Sequence, residues 1–442
     1  MNFGLSRLLF LGSWCSFMIM PLGLQAQSEP KVLKLAEAYA LAVQYSVQLK
    51  IAGKSAERAK QQTEIAKLYR LPGVRTELNY GYISNADIWT PSFTEHQKGA
   101  IPHQFTQFTV QAAQVVFKGH EVKNEIHRST LEEKIAELSV EQNAQDIKLM
   151  VAAKYLDIYR LVNQHQVLLN NIRLAQQRLK NIMAMRRQGM VTQNDVLRTE
   201  LIISDLQLAA NKTVNQNLIL RKQLSIITGL PDSAAWLPDT ALLGGADHEE
   251  SLAQYREKAY RENHELKISS LENQVSEAKI KISQAERIPE IVLFAGSSLQ
   301  RPFLNTIPSV DIFYNVWQAG VGVRYNISSI YQSPRRIKAA RIESERTALN
   351  GTHVKEEVDV ALTTYFIKYN EAKDELLTLK KDRLSAVENY RIAEKRYFNQ
   401  LALLTDLTDA TNTKLEAELK VTNAEINVIY TYCQLLHIIG TL

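Results

Sequence analysis

Apolar residues recur along this chain with two different periods, and each period predicts a different kind of element. Ile147, Val151, Tyr155, Ile158, Val162, Leu169, Ile172, Leu179 and Met183 fall on one stripe at helical steps, with His165 and Gln176 in its polar places. That spacing predicts one unbroken helix over about 122–188. The same kind of pattern predicts helices over about 34–70, 193–228, 249–287, 334–398 and 404–439. A helix of about 65 residues is about 100 Å long at 1.5 Å per residue. No compact single-core domain needs such an element, so it must be a rod packed against other rods, as in a coiled coil or helical tube.

A period of two predicts four strands, over about 73–84, 105–117, 289–300 and 314–327. Val74, Thr76, Leu78, Tyr80 and Tyr82 alternate with Arg75, Glu77, Asn79 and Gly81. Trp317, Ala319, Val321, Val323, Tyr325 and Ile327 alternate with Gln318, Gly320, Gly322, Arg324 and Asn326. Phe108, Val110 and Ala112 repeat the pattern, and Ile291, Leu293 and Ala295 start the weakest example. One apolar and one polar face over about ten residues suit a lipid-facing strand around a wet lumen. A soluble sheet with one wet face gives the same alternation in any single strand. Four such strands in two hairpins favour the membrane reading, with loops Ser84 to His103 and Gln300 to Ile312 on the outside. Four strands cannot close a barrel, since the smallest known have eight, and open edges are not viable in lipid. Several protomers must therefore share one.

The elements divide the chain into a first repeat over 27–230, a join over 231–248 and a second repeat over 249–442. Each repeat reads helix, strand, strand, long helix, turn, helix, and Pro231 and Pro238 break the join. Before the first repeat, Arg7, the apolar run Leu8 to Leu24 and the site Leu24-Gln25-Ala26 read as a signal peptide over 1–26. The alternative, an uncleaved anchor, is opposed by a run shorter than the roughly 20 apolar residues that span a bilayer. Cys15 follows Gly12-Ser13-Trp14, a poor lipidation context, and leaves with the leader. Cys433 then stands alone, which excludes an intramolecular disulfide.

Composition narrows the function. A mean hydropathy of −0.21 excludes a polytopic helical membrane protein. The net charge of +5 is spread over 52 basic and 47 acidic residues, which reads as solvated helix faces and excludes a nucleic-acid partner. The nine histidines are scattered, and HExxH, paired cysteine ligands, GxSxG and a P-loop are all missing. An enzyme is therefore not expected, nor a cofactor. A periplasmic adaptor also has long helical hairpins, but it should carry Gly-rich lipoyl-like segments around a single hairpin. A purely structural coiled-coil protein would lack the four alternating strands.

Several short segments, in order in both halves, resemble the TolC (outer membrane efflux protein) family. Leu35-Ala36-Glu37-Ala38-Tyr39 is similar to its first-helix signature, and Arg70-Leu71-Pro72 and Arg287-Ile288-Pro289 to its helix-to-strand stops. The run Gly189-Met190-Val191-Thr192-Gln193-Asn194-Asp195-Val196-Leu197 resembles the periplasmic turn, and Thr228-Gly229-Leu230-Pro231 the end of the first repeat. The resemblance implies a mainly α protein with membrane β: a homotrimer whose protomers each give four strands to a twelve-stranded outer-membrane barrel, continued by a long periplasmic helical tube. The join and termini would form a belt at its middle. The implied partners are outer-membrane lipid, a periplasmic adaptor and an inner-membrane transporter of RND, ABC or MFS type, serving efflux or type I secretion.

Aligning the two turns pairs Asp195 with Asp406 and Gly189 with Gln400, so the second turn lacks the first one's glycine. The resemblance implies that Asp406 and Asp409 ring the pore entrance. Their spacing puts both carboxylates on one helix face, though first-turn acids are also favoured there by the helix dipole. Tyr397 matches a family tyrosine that holds the closed state, while the matching arginine position is Ala402. Arg198 beside Asp409 is a candidate replacement, with Asp195 as a further gate contact and Gly189, Thr192 and Gln400 as turn residues.

Overall fold

The computed structural model describes residues 31–231, 236–239, 250–306 and 308–442. The leader and most of the join lie outside the described residues. In chain order the elements are β1 (Lys31–Leu33), α1 (Leu35–Tyr45), α2 (Val47–Leu68), β2 (Gly73–Tyr82), β3 (Ala86–Trp89), β4 (His96–Gly99), β5 (Gln104–Phe117), α3 (Glu121–Arg187), α4 (Gln193–Thr228), β6 (Trp236–Pro238), α5 (Leu252–Glu262), α6 (His264–Ala285), β7 (Glu290–Arg301), β8 (Tyr314–Arg324), α7 (Ser329–Phe398) and α8 (Leu404–Ile439).

The long periods become long rods. α3 has 67 residues and α7 has 70, each about 100 Å at 1.5 Å per residue. α7 begins earlier than the pattern predicts and carries Pro334 in its second turn. Two other predicted helices are each broken once. The pattern runs through 34–70, yet α1 and α2 are separated by Ser46, whose side chain accepts from the Leu49 amide at 3.4 Å. In 249–287, α5 and α6 are separated by Asn263, which accepts from the Leu266 amide at 2.9 Å and donates to the Ile438 carbonyl at 2.7 Å. Both residues have extended ψ, near 122° and 125°. Their short polar side chains cap the next helix, a competition with helical backbone bonding that apolar periodicity does not register.

The α3 stripe holds in its upper part and drifts below. Ile147, Val151, Tyr155, Ile158 and Ile172 are buried, but Leu169 and Met183 are exposed, and burial passes to Leu168, Ala175, Arg178 and Ile182. A 3.6-residue helix rotates away from a strict repeat, and α3 changes partners along its length, packing on α1, α2, α4, α6 and α8. At its middle, the fully buried Tyr155 donates to the Leu33 carbonyl at 2.6 Å and accepts from the Asp239 amide at 2.8 Å. Burial pushes its hydroxyl pKa up to about 12. These bonds tie the parallel pair β1–β6 to the rod. β1 and β6, three residues each, are too short to show a period.

The four long strands form one antiparallel sheet in the order β2-β5-β7-β8. Register puts Val74, Ala112, Ala295 and Ala319 in one row, and Thr76, Val110, Ser297 and Trp317 in the next. The four apolar sets read from the sequence therefore share one face. The other face carries the row Arg75, Gln111, Gly296 and Gln318. Val74, Leu78, Tyr80, Trp317, Val321 and Val323 are each 65–75% exposed in the protomer, so the apolar face is bare. β2 and β8 are open edges. The loop 84–103, read from the sequence only as a hairpin loop on the outside, contains a further hairpin, β3–β4.

Candidate functional site

The end of the molecule away from the sheet is built from two helix turns. α3 stops at Gly189, whose φ of +73° places it in the left-handed region, and the Met190 amide closes the turn on the Met185 carbonyl at 3.0 Å. α4 then starts with a capping box. The Asp195 carboxylate accepts from the Thr192 amide at 2.9 Å, and the Asp195 amide donates to the Thr192 hydroxyl at 3.3 Å. The second turn has the same shape. Gln400 has φ +61°, a position that glycine fills in the first turn, and the Leu401 amide donates to the Arg396 carbonyl at 2.8 Å. The Asp406 carboxylate accepts from the Leu403 amide at 3.0 Å.

Asp406 thus caps its own helix, as its first-turn position allows. Asp409, one turn on, is exposed and its side chain makes no hydrogen bond or ion pair among the described residues. Both are exposed, so capping does not withdraw Asp406 from solvent, and nothing in the protomer occupies Asp409.

Behind the turns lies an apolar cluster of Ile182, Val196, Tyr390, Tyr397, Leu404 and Leu407. It joins α3, α4, α7 and α8, so the tips cannot move independently. Tyr397 is buried, and its hydroxyl has no hydrogen-bond partner. Burial raises its pKa, and the nearby Asp195 carboxylate raises it further, while Arg178 pulls it down. The sequence reading missed Arg178. This guanidinium is only 4% exposed, donates to the Tyr390 hydroxyl at 3.2 Å, and lies 5.7 Å from the Tyr390 ring centre. Tyr390 in turn donates to Glu394, and Lys414 approaches the same ring at 4.7 Å. Arg178 lies off the apolar stripe read from the sequence, so the pattern carried no signal for its burial. Arg198 is exposed and has no ion pair among the described residues, so the protomer does not contain the Arg198–Asp409 contact.

A four-stranded half-bare sheet running into paired 100 Å rods defines a protein class, and known proteins match it. Residues 256–441 match the model of the outer membrane efflux protein family. VceC of Vibrio cholerae superposes with TM-score 0.75 at 13% identity, covering 92% of this chain and 96% of that one. The CmeC outer-membrane channel of Campylobacter jejuni gives TM-score 0.76 at 14% identity, covering 92% and 85%. The open state of the MtrE channel of Neisseria gonorrhoeae gives 0.71 at 13%, covering 92% and 88%. No curated protein matches the chain in sequence. The fold is that of an outer-membrane channel protomer. The second repeat is thus similar to the outer membrane efflux protein family, and the chain as a whole shares the fold of outer-membrane channels.

Proposed function

We propose that this chain is one protomer of a homotrimeric exit duct, which passively conducts cargo from the periplasm to the exterior. The observation that carries the reading is the sheet: four strands with one bare apolar face and two open edges, continuous with the helical rods. Three copies remove every edge and turn the polar row of Arg75, Gln111 and Gln318 toward a wet lumen. A periplasmic adaptor and an inner-membrane transporter of RND, ABC or MFS type would deliver cargo at the tips, for drug or metal efflux or for type I secretion. The transporter chooses the cargo, since a passive duct needs no substrate-specific residue. At the entrance we assign Asp406 and Asp409 to the pore, and Asp195, Tyr397 and Arg178 to the packing that holds the tips together.

Native mass spectrometry in mild detergent, paired with planar-bilayer conductance, tests this. A trimer that forms discrete channels is expected. A stably folded monomer that forms no channel would sink the shared-barrel reading.

A further inference from the structure

A cleft of about 570 Å³ opens where α2 hands over to β2 and β5 hands over to α3. Its position on the sheet is fixed by register. Phe117 and Gln114, which line it, pair with Ile291 and Leu293, and those two share a row with Val323 and Val321. The cleft therefore lies on the bare apolar face, at the end of the sheet nearest the helical rods. In the channel reading above, on which this inference rests, that is the lipid surface at the periplasmic leaflet.

The chemistry lining the cleft is not that of a hydrocarbon contact. Arg70 and Lys123 are exposed and have no carboxylate partner among the described residues. α3 begins beside them without a side-chain cap from His120, and its first-turn acid, Glu121, lines the cleft with Val122 and Lys123. Two acceptor atoms complete the set. Gln114 is a polar residue among the apolar Ala112, Leu293 and Val321 at this end of the face, and its Oε1 is buried with no partner. Glu121 binds Lys118 at 2.9 Å through Oε1, which leaves its Oε2 buried and unpartnered. Phe117 and the bulged Val116 give the cleft an apolar flank. Free cations thus stand beside unused acceptors, next to apolar surface and at the rim of a lipid-facing sheet.

We infer that this cleft holds the headgroup of a glycerophospholipid carrying both a phosphate and a primary ammonium. The phosphodiester meets Arg70 and Lys123, the ammonium meets Gln114 and Glu121, and the acyl chains continue up the apolar face past Phe117. Charge complementarity selects this occupant, because a purely anionic headgroup leaves both acceptors unused and a purely cationic one leaves both cations unused. A bound lipid there would fix the depth of the barrel in the bilayer at the point where strands become helices.

The test titrates the purified protein in mild detergent with phosphatidylethanolamine or phosphatidylglycerol and counts bound lipid by native mass spectrometry. The wild type should retain phosphatidylethanolamine in preference to phosphatidylglycerol. Arg70→Gln with Lys123→Gln should weaken retention of both lipids about ten-fold. Gln114→Leu should keep phosphatidylglycerol binding and abolish the preference, which gives a second readout if the double variant folds poorly. Equal retention by wild type and double variant would overturn the inference. So would displacement of both lipids by millimolar inorganic phosphate, which would mark a free-anion site. Conductance of the same preparation separates the two readings. A conducting wild type that retains no phosphatidylethanolamine overturns this inference alone, and one that retains the lipid without conducting overturns only the channel reading.

Discussion

At the scale of single residues, the two turns at the tip show how one geometry is reached with unequal chemistry. Gly189 takes a φ of +73° without a Cβ penalty, whereas Gln400 takes +61° with one. Left-handed backbone at a non-glycine residue costs of order 1–3 kcal/mol, partly offset by the lower chain entropy of the non-glycine residue when unfolded. Gln400→Gly should therefore stabilise the tip by about 0.5–1 kcal/mol, read as a higher thermal midpoint of the purified protein. An unchanged or lower midpoint would mean that the Gln400 side chain has its own stabilising contact in the assembly. The missing glycine was visible in the sequence, but its consequence was not. Repeat alignment shows which residue occupies the turn, while only the backbone shows that the left-handed conformation is kept. Arg178 is the opposite case. It stood in plain view in the chain, yet its burial depends on α7 bringing Tyr390 across to it, a long-range event with no local signature.

At the scale of elements, the sheet was the more legible part of the fold, because a period of two fixes both the strand and its face. Each strand read separately gave an apolar set, and the register then put all four sets on one side. Val321 and Gln318 lie on opposite faces of β8, three residues apart. Val321→Arg should prevent stable assembly, since a charge on the lipid face at mid-bilayer costs roughly 2–4 kcal/mol. Gln318→Arg, on the face that carries Arg75 and Gln111, should assemble as well as the wild type. Equal loss of assembled protein in both variants, measured by native gel in detergent, would reverse the face assignment. Helices were less legible than strands, and for a physical reason. Apolar periodicity reports a buried face, and the breaks at Ser46 and Asn263 leave that face intact while changing the backbone. The short strands β1, β3, β4 and β6 escaped for want of length.

At the scale of the whole molecule, the rods end in a tip where two helix turns of each protomer are packed against one another. The cluster around Tyr397 and Leu407 binds all the tip helices of one protomer together, so an opening motion must carry whole helix pairs and not single side chains. Threefold symmetry would multiply what each tip presents, turning Asp406 and Asp409 into six carboxylates around one opening. Their summed potential would concentrate cations there, and a trivalent cation bridging different copies would block conductance from the periplasmic side. The geometry of the second turn determines how this must be tested. Asp406 also accepts the Leu403 amide at 3.0 Å, so replacement by alanine would remove a cap worth about 0.5–2 kcal/mol together with the charge. Asparagine keeps an acceptor oxygen in place and removes only the charge. The informative variant is therefore Asp406→Asn with Asp409→Asn, compared in planar bilayers with the wild type, with and without a trivalent cation. Loss of block and reduced cation preference are expected, with assembly and thermal midpoint unchanged. Retention of both block and preference in this variant would confine Asp406 to its capping role and leave Asp409 a solvated surface residue.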